Sequence, residues 1–147
     1  MKNKDLLLAF VKLNSLIHKE FCTLNSELGF SPIQCKFLLV FQREISKNGE
    51  LTLSQVEKNY KAPKSTLSEL LTSMENEGLI VKTKSKIDKR VNKIEITEKG
   101  EEVLKKIEHN HDIIKERLEK VLTKEEIKLS KEVIEKLIGE FKEENEC

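Results

Sequence analysis

A chain of 147 residues has the length of one ordinary domain. Its 27 lysines and arginines against 26 aspartates and glutamates leave a net charge of +1, which excludes a polybasic tail or a uniformly basic coat but allows a local basic patch. Five glycines and two prolines are too few for a sandwich or barrel with many tight turns, and 37% hydrophobic with 36% charged residues is the composition of long charged helices that still share a core.

The first predicted element is a helix over 5–28. Leu6, Phe10, Leu13, Ile17, Phe21, Leu24 and Leu28 repeat on one face for about six turns, with Leu7, Val11, His18 and Cys22 widening one flank. A stripe this long in a small domain calls for two partners, its own core and another subunit. Gly29 stops it. Ser31-Pro32-Ile33-Gln34 then restarts the chain as a helix, with serine at the cap, proline at the first position and glutamine three residues on. This second helix carries Ile33, Phe37, Leu38, Leu39, Val40 and Phe41, apolar nearly all round, and is expected to be buried. After the Lys47–Glu50 turn, Thr52 and Gln55 repeat the capping pattern and open a short third helix ending near Tyr60.

A fourth helix is predicted from Lys64 to Glu77, stopped by Gly78. One face is Leu67, Leu70, Leu71 and Met74, and the other is Ser65, Ser68, Glu69, Thr72 and Asn76. Two short helices, the second with a small polar face, make a helix-turn-helix candidate. The period then changes to two: Leu79–Lys84 and Val91–Thr97 read as a hairpin across Ser85–Arg90, with Lys82, Lys84 and Lys86 on one face. Those lysines suit either a phosphate backbone or the protection of a sheet edge. A fifth helix over 97–122 places Val103, Ile107, Ile114, Leu118 and Val121 together. Thr123 and Glu126 cap a sixth helix that carries Ile127, Val133, Ile134, Leu137 and Phe141, and a frayed tail is expected from Lys142 to Cys147.

Charge is unevenly spread. From Lys58 to Lys93 nine basic residues face four acidic ones, +5, which leaves −4 for the rest of the chain. Such a basic middle suits one surface laid against phosphate. No apolar run approaches the ~20 residues a bilayer requires. Lys12 interrupts the apolar run at 6–11 and no small-residue cleavage site follows, so no signal peptide is expected. Three cysteines, Cys22, Cys35 and Cys147, are an odd number at no framework spacing and favour a reduced, cytoplasmic setting. No phosphate-binding glycine loop, nucleophile elbow or zinc-protease helix occurs, so no enzyme is expected.

Leu51-Thr52-Leu53-Ser54-Gln55, Lys64-Ser65-Thr66-Leu67-Ser68, Met74-Glu75-Asn76-Glu77-Gly78-Leu79-Ile80, Asp88-Lys89-Arg90 and Ile96-Thr97-Glu98-Lys99-Gly100 together resemble the MarR family of winged helix-turn-helix transcription regulators. The D-x-R wing followed by T-E-K-G is the most specific part. The resemblance implies a mainly α fold of six helices with a small β-hairpin wing. Residues 1–30 and 99–147 would form a helical dimerisation region, and 31–98 a DNA-binding lobe, within one intertwined domain. It implies a cytoplasmic homodimer, more a repressor than an activator, on double-stranded DNA with a pseudo-palindromic operator, released by a small-molecule effector. The carried-over DNA-binding residues are Lys64, Ser65, Thr66, Ser68 and Thr72 on the fourth helix and Lys84, Lys86, Asp88, Lys89 and Arg90 on the wing, with Arg90 in the minor groove and Asp88 orienting it.

Two positions depart from the family pattern. Pro63 replaces a common capping serine, so the cap comes from elsewhere or Pro63 is the first helical residue. Glu69 stands where a base is common; it either accepts from a cytosine amine or weakens binding. Zinc and thiol sensors also occur in this family. His18, Cys22, Cys35 and His111 are chemically acceptable zinc ligands, although buried cysteines are more often small hydrophobes. A helical dimerisation module without DNA binding is the remaining alternative.

Overall fold

The computed structural model describes residues 3–60 and 62–143. In chain order it contains α1 (Asn3–Asn25), a 3-10 turn (Ser26–Leu28), α2 (Pro32–Asn48), β1 (Leu51–Thr52), α3 (Leu53–Asn59), α4 (Lys64–Asn76), β2 (Ile80–Lys84), β3 (Asn92–Ile96), α5 (Glu98–Val121) and α6 (Lys124–Glu143). Lys142 and Glu143 continue α6. The rest of the tail, Cys147 included, lies outside the described residues, as does Lys61. The chain divides into two compact units, Met1–Asn110 and His111–Cys147.

In the first unit, helix starts follow their caps. Gly29 takes the left-handed conformation (φ 80°) that ends the 3-10 turn. At α2 the Gln34 N–H donates to Ser31 Oγ (3.2 Å) and the Ser31 N–H to Gln34 Oε1 (3.0 Å). Thr52 and Gln55 repeat both bonds at α3. Gln34 does a second job: it is buried, and its Nε2 donates to Ser73 Oγ (3.0 Å), tying the start of α2 to α4.

The core draws on α2 to α5 and the strands between them. Leu38, Phe41, Leu51, Val56, Met74, Leu79, Ile80 and Ile107 are completely buried. Phe37 packs edge-on against Phe41 (centroids 5.6 Å apart) and in a tilted arrangement against Tyr60 (5.0 Å). The second helix is not buried all round, contrary to expectation. Cys35, Leu38 and Phe41 face the core, Phe37, Leu39 and Val40 are half-buried, and Ile33 is exposed. One helix can turn only one side to a core, so its surplus apolar residues remain at the surface.

The expected two-stranded hairpin is the larger part of a three-stranded antiparallel sheet, ordered β1-β3-β2. Leu51 pairs with Ile94, and Ile80 with Ile96. A strand of two residues is too short to show a period of two, and Thr52 carries the stronger signal of a helix cap. The alternation that was expected to group three lysines stops at Lys84, where β2 ends. Lys82 and Lys84 share a face, and Lys86 belongs to the turn.

The T-E-K-G run has a structural reason. After Gly78 (φ 78°) the chain enters β2, and the start of α5 docks against this corner. The Thr97 hydroxyl donates to the Gly78 carbonyl, the Gly100 N–H donates to Thr97 Oγ1 (3.0 Å), and Lys99 Nζ donates to the Glu77 carbonyl at the end of α4 (2.7 Å). Lys99 Nζ also lies 5.6 Å from the Phe30 ring centroid. A Cβ at Gly100 would stand 2.3 Å from the Leu79 carbonyl oxygen, so only glycine permits this approach. Gly100→Ala is therefore expected to destabilise the protein by about 1–3 kcal/mol through overpacking against backbone. A lowered urea midpoint at unchanged slope checks this, and an unchanged midpoint contradicts it.

Candidate nucleic-acid interface

Burial of Leu67, Leu71 and Met74 turns α4 so that its other side faces solvent. Lys64, Ser65, Thr66, Ser68, Glu69 and Thr72 are all exposed on it. Pro63 occupies the cap position itself, with φ −54° and ψ 138°, and makes no side-chain cap bond. Of the two expected arrangements, Pro63 as the first helical residue does not hold, because the helix begins at Lys64. The Leu67 N–H donates to the Pro63 carbonyl (3.1 Å), closing the first turn. Lys64 Nζ stands 4.0 Å from Glu57 Oε2, both exposed, a pair too solvated to hold the lysine.

The wing turn is built around one buried hydroxyl. Ser85 is 2% exposed. Its Oγ accepts the N–H groups of Ile87 (3.2 Å) and Asp88 (3.3 Å) and donates to Glu50 Oε1 (2.7 Å). The Ser85 N–H reaches the Val91 carbonyl (2.8 Å), and the Val91 N–H reaches that of Asp88 (3.0 Å). Beyond this frame Arg90 clasps Asp88. Its N–H and Nε donate to Oδ1 (3.0 and 3.2 Å) and its Nη2 to Oδ2 (3.4 Å). These bonds, the side-chain ones first and then the backbone one, hold the Asp88 carboxyl below the ordinary aspartate range. The Arg90 side chain is 90% exposed. The carboxylate thus aims the guanidinium without hiding it.

Lys84, Lys86, Lys89 and Arg90 are exposed around the turn. The Lys82 N–H donates to Glu75 Oε2 (3.3 Å), which ties the edge strand β2 to α4. Not every basic residue in the +5 segment serves a surface. Lys93 is buried and paired with Glu95 (3.0 Å). Lys86 borders a cavity of about 340 Å³ together with Gln42, Glu50, Lys93, Glu95 and Glu101, so acids as well as bases surround it. Sequence reasoning missed Ser85, Glu50 and Ile87, because a serine and an isoleucine in a charged turn carry no periodic signal.

His18 Nε2 and Cys22 Sγ stand 3.5 Å apart on α1. Cys35 is buried on α2, and burial first, then the nearby Cys22 thiol, push its own thiol up. A thiol held protonated is a poor ligand and nucleophile. His111 lies in the second unit. Among the described residues no three His, Cys, Asp or Glu side chains gather as a metal-holding group, so the four zinc candidates form no ligand set of that size. A second cavity, about 270 Å³, is lined by Leu24, Glu27, Leu28, Lys105, Lys106, His109 and Asn110. Asn110 Nδ2 donates to the Leu24 carbonyl (3.2 Å) and to Asn25 Oδ1 (2.8 Å) at its edge. Among the described residues no helix is long and apolar enough to cross a membrane.

No family model matches the chain, and no curated relative does. Solved structures do. The YusO protein of Bacillus subtilis is 23% identical over 92% of this chain and 94% of its own, with a TM-score of 0.67. A MepR variant from S. aureus is 18% identical, covering 96% and 99% of the two chains, with a TM-score of 0.73. A MarR variant from E. coli, crystallised with operator DNA, is 17% identical over 90% and 93%, also with a TM-score of 0.73. Likeness at this identity is likeness of fold: the chain is a mainly helical protein with a small antiparallel wing, folded as the MarR-type winged helix-turn-helix regulators are.

Proposed function

We propose that this protein is a non-enzymatic transcriptional regulator that binds double-stranded DNA as a homodimer. One observation carries the reading: a solvent-facing helix side of Lys64, Ser65, Thr66, Ser68 and Thr72 stands in the same unit as a pinned turn that presents Lys84, Lys86, Lys89 and an Arg90 aimed by Asp88. The short hydroxyls on α4 suit phosphates and base edges of a major groove. Arg90 suits the narrow, electronegative minor groove beside it. Asp88 acts through Arg90. The E. coli protein's capture of operator DNA supports the same assignment here.

Exposed apolar residues support the dimer. In the first unit α1 exposes Leu6, Leu7, Leu8, Val11, Leu13 and Leu16, while Ile17, Phe21 and Leu24 farther along are half-buried. In the second unit α6 exposes Leu129, Val133, Ile134, Ile138 and Phe141. Apolar surface of this extent marks an interface. In this reading 1–30 and 99–147 dimerise, 31–98 hold DNA, and a two-fold dimer meets a pseudo-palindromic operator with half-sites about one helical turn apart. The regulator works as a cytoplasmic repressor that a small-molecule effector releases. For a zinc- or thiol-responsive version, the described residues offer the His18–Cys22 pair and the Cys35 thiol near Cys22.

On a duplex selected by the wild-type protein, Arg90→Ala is expected to weaken binding and to lower the salt slope by about 0.9, the share of one phosphate. An unchanged slope and affinity would remove the wing from the interface. Leu7→Asp with Val11→Asp, both outside the chain's own core, is expected to shift the sedimenting species from dimer to monomer; a monomeric wild type would contradict the dimer. The Asp88 carboxyl is expected to titrate below ordinary aspartate and to return toward it in Arg90→Ala, as followed by NMR. Because the folded value is lowered, the clasp is complete above the unfolded value and is lost as pH falls through the folded one. An Asp88 titration indifferent to Arg90 would break the pairing.

A further inference from the structure

We propose that Ile87 is an apolar wedge which the wing sets against the walls of the DNA minor groove, held outward by the Glu50–Ser85 hydrogen bond. The inference rests on the DNA-binding reading above and adds a contact and a distortion to it. Ile87 is 86% exposed, the most exposed large apolar side chain among the described residues. A lone surface isoleucine is ordinary. This one differs in how it is held and in what surrounds it.

The backbone on both sides of the isoleucine is fixed before any partner arrives. The N–H groups of Ile87 and Asp88 both end on Ser85 Oγ, that hydroxyl is buried, and it donates to Glu50 Oε1. A turn ordered in advance has less freedom to lose on binding. Its neighbours Lys86, Lys89 and Arg90 are exposed cations. An apolar tip whose exposed chain neighbours are two lysines and an arginine, with the one adjacent carboxylate, Asp88, engaged by that arginine, mismatches an apolar protein surface. It matches a groove whose walls are deoxyribose and whose rims are phosphate. Isoleucine is among the side chains that enter base steps from the minor groove and partly unstack them. Flexible pyrimidine–purine steps beneath the wing would therefore be favoured without any hydrogen bond to a base. Glu50 and Ser85 are positioning residues that act through the turn.

The test uses the full chain and a duplex enriched by the wild-type protein from a random pool, with 2-aminopurine placed at the steps under the wing. Wild-type binding is expected to raise the 2-aminopurine fluorescence. Ile87→Ser is expected to lose that rise and to bind about tenfold more weakly at an unchanged salt slope, because it removes apolar contact and no charge. Glu50→Ala is expected to share both defects, and Glu50→Gln, which keeps an acceptor for Ser85, to restore wild-type behaviour. Unchanged affinity and fluorescence in Ile87→Ser would overturn the wedge while leaving DNA binding intact. So would a loss of affinity that came with a lower salt slope, or a loss of self-association in place of DNA affinity. Failure of the wild type to enrich any duplex would overturn the DNA-binding reading itself.

Discussion

The rotation of α4 about its own axis is the constraint on which the proposed interface depends. Leu67, Leu71 and Met74 set it by burial. Each such side chain contributes about 1.5–3 kcal/mol when taken out of water. The Gln34–Ser73 hydrogen bond that also touches the helix contributes about 1 kcal/mol net. Burial therefore decides the orientation, and the hydrogen bond selects among rotations that burial already allows. Turning the helix by one residue, about 100°, would carry Ser68 and Thr72 inward and expose leucines. The hydroxyl face is thus a consequence of the core.

Both ends of this arrangement are fixed from elsewhere in the chain. At the C-terminal end of α4, Lys99 takes up the Glu77 carbonyl, Thr97 the Gly78 carbonyl, and Gly100 lets α5 come into backbone contact at Leu79. A motif that reads as a family signature is, in physical terms, a corner joint between the candidate recognition helix and α5. At the wing, Ser85 performs a comparable task with one hydroxyl that accepts two N–H groups and donates to Glu50. The Asp88–Arg90 clasp adds little stability at such exposure, and its value is direction. An arginine already aimed loses less freedom on meeting a phosphate or a groove.

Much of this was legible in the sequence, for identifiable reasons. The capping pairs Ser31–Gln34, Thr52–Gln55 and Thr123–Glu126 marked three helix starts, and each pair forms in both directions. The apolar period placed α1 and α4, and Gly29 and Gly78 marked the positions where the chain turns left-handed. What escaped was local or relational. β1 is two residues long and owes its existence to a partner 43 positions away, Leu51 with Ile94. Lys93 counted as surface charge until the fold turned it inward onto Glu95. Ser85 and Ile87 gained meaning only when the turn brought Glu50 beneath one and left the other in solvent. Alternation also promised three aligned lysines, but a strand that ends at Lys84 cannot align the third.

The central claim is that two copies of α4 and two wings meet one duplex. Hydroxyl-radical footprinting on an enriched duplex tests it most directly, because the radical attacks deoxyribose through the minor groove. The account predicts two protected patches, one per wing, symmetric about a dyad and flanking the major-groove contacts of the paired helices. A single patch, or uniform cleavage across a duplex that the protein binds, would contradict it.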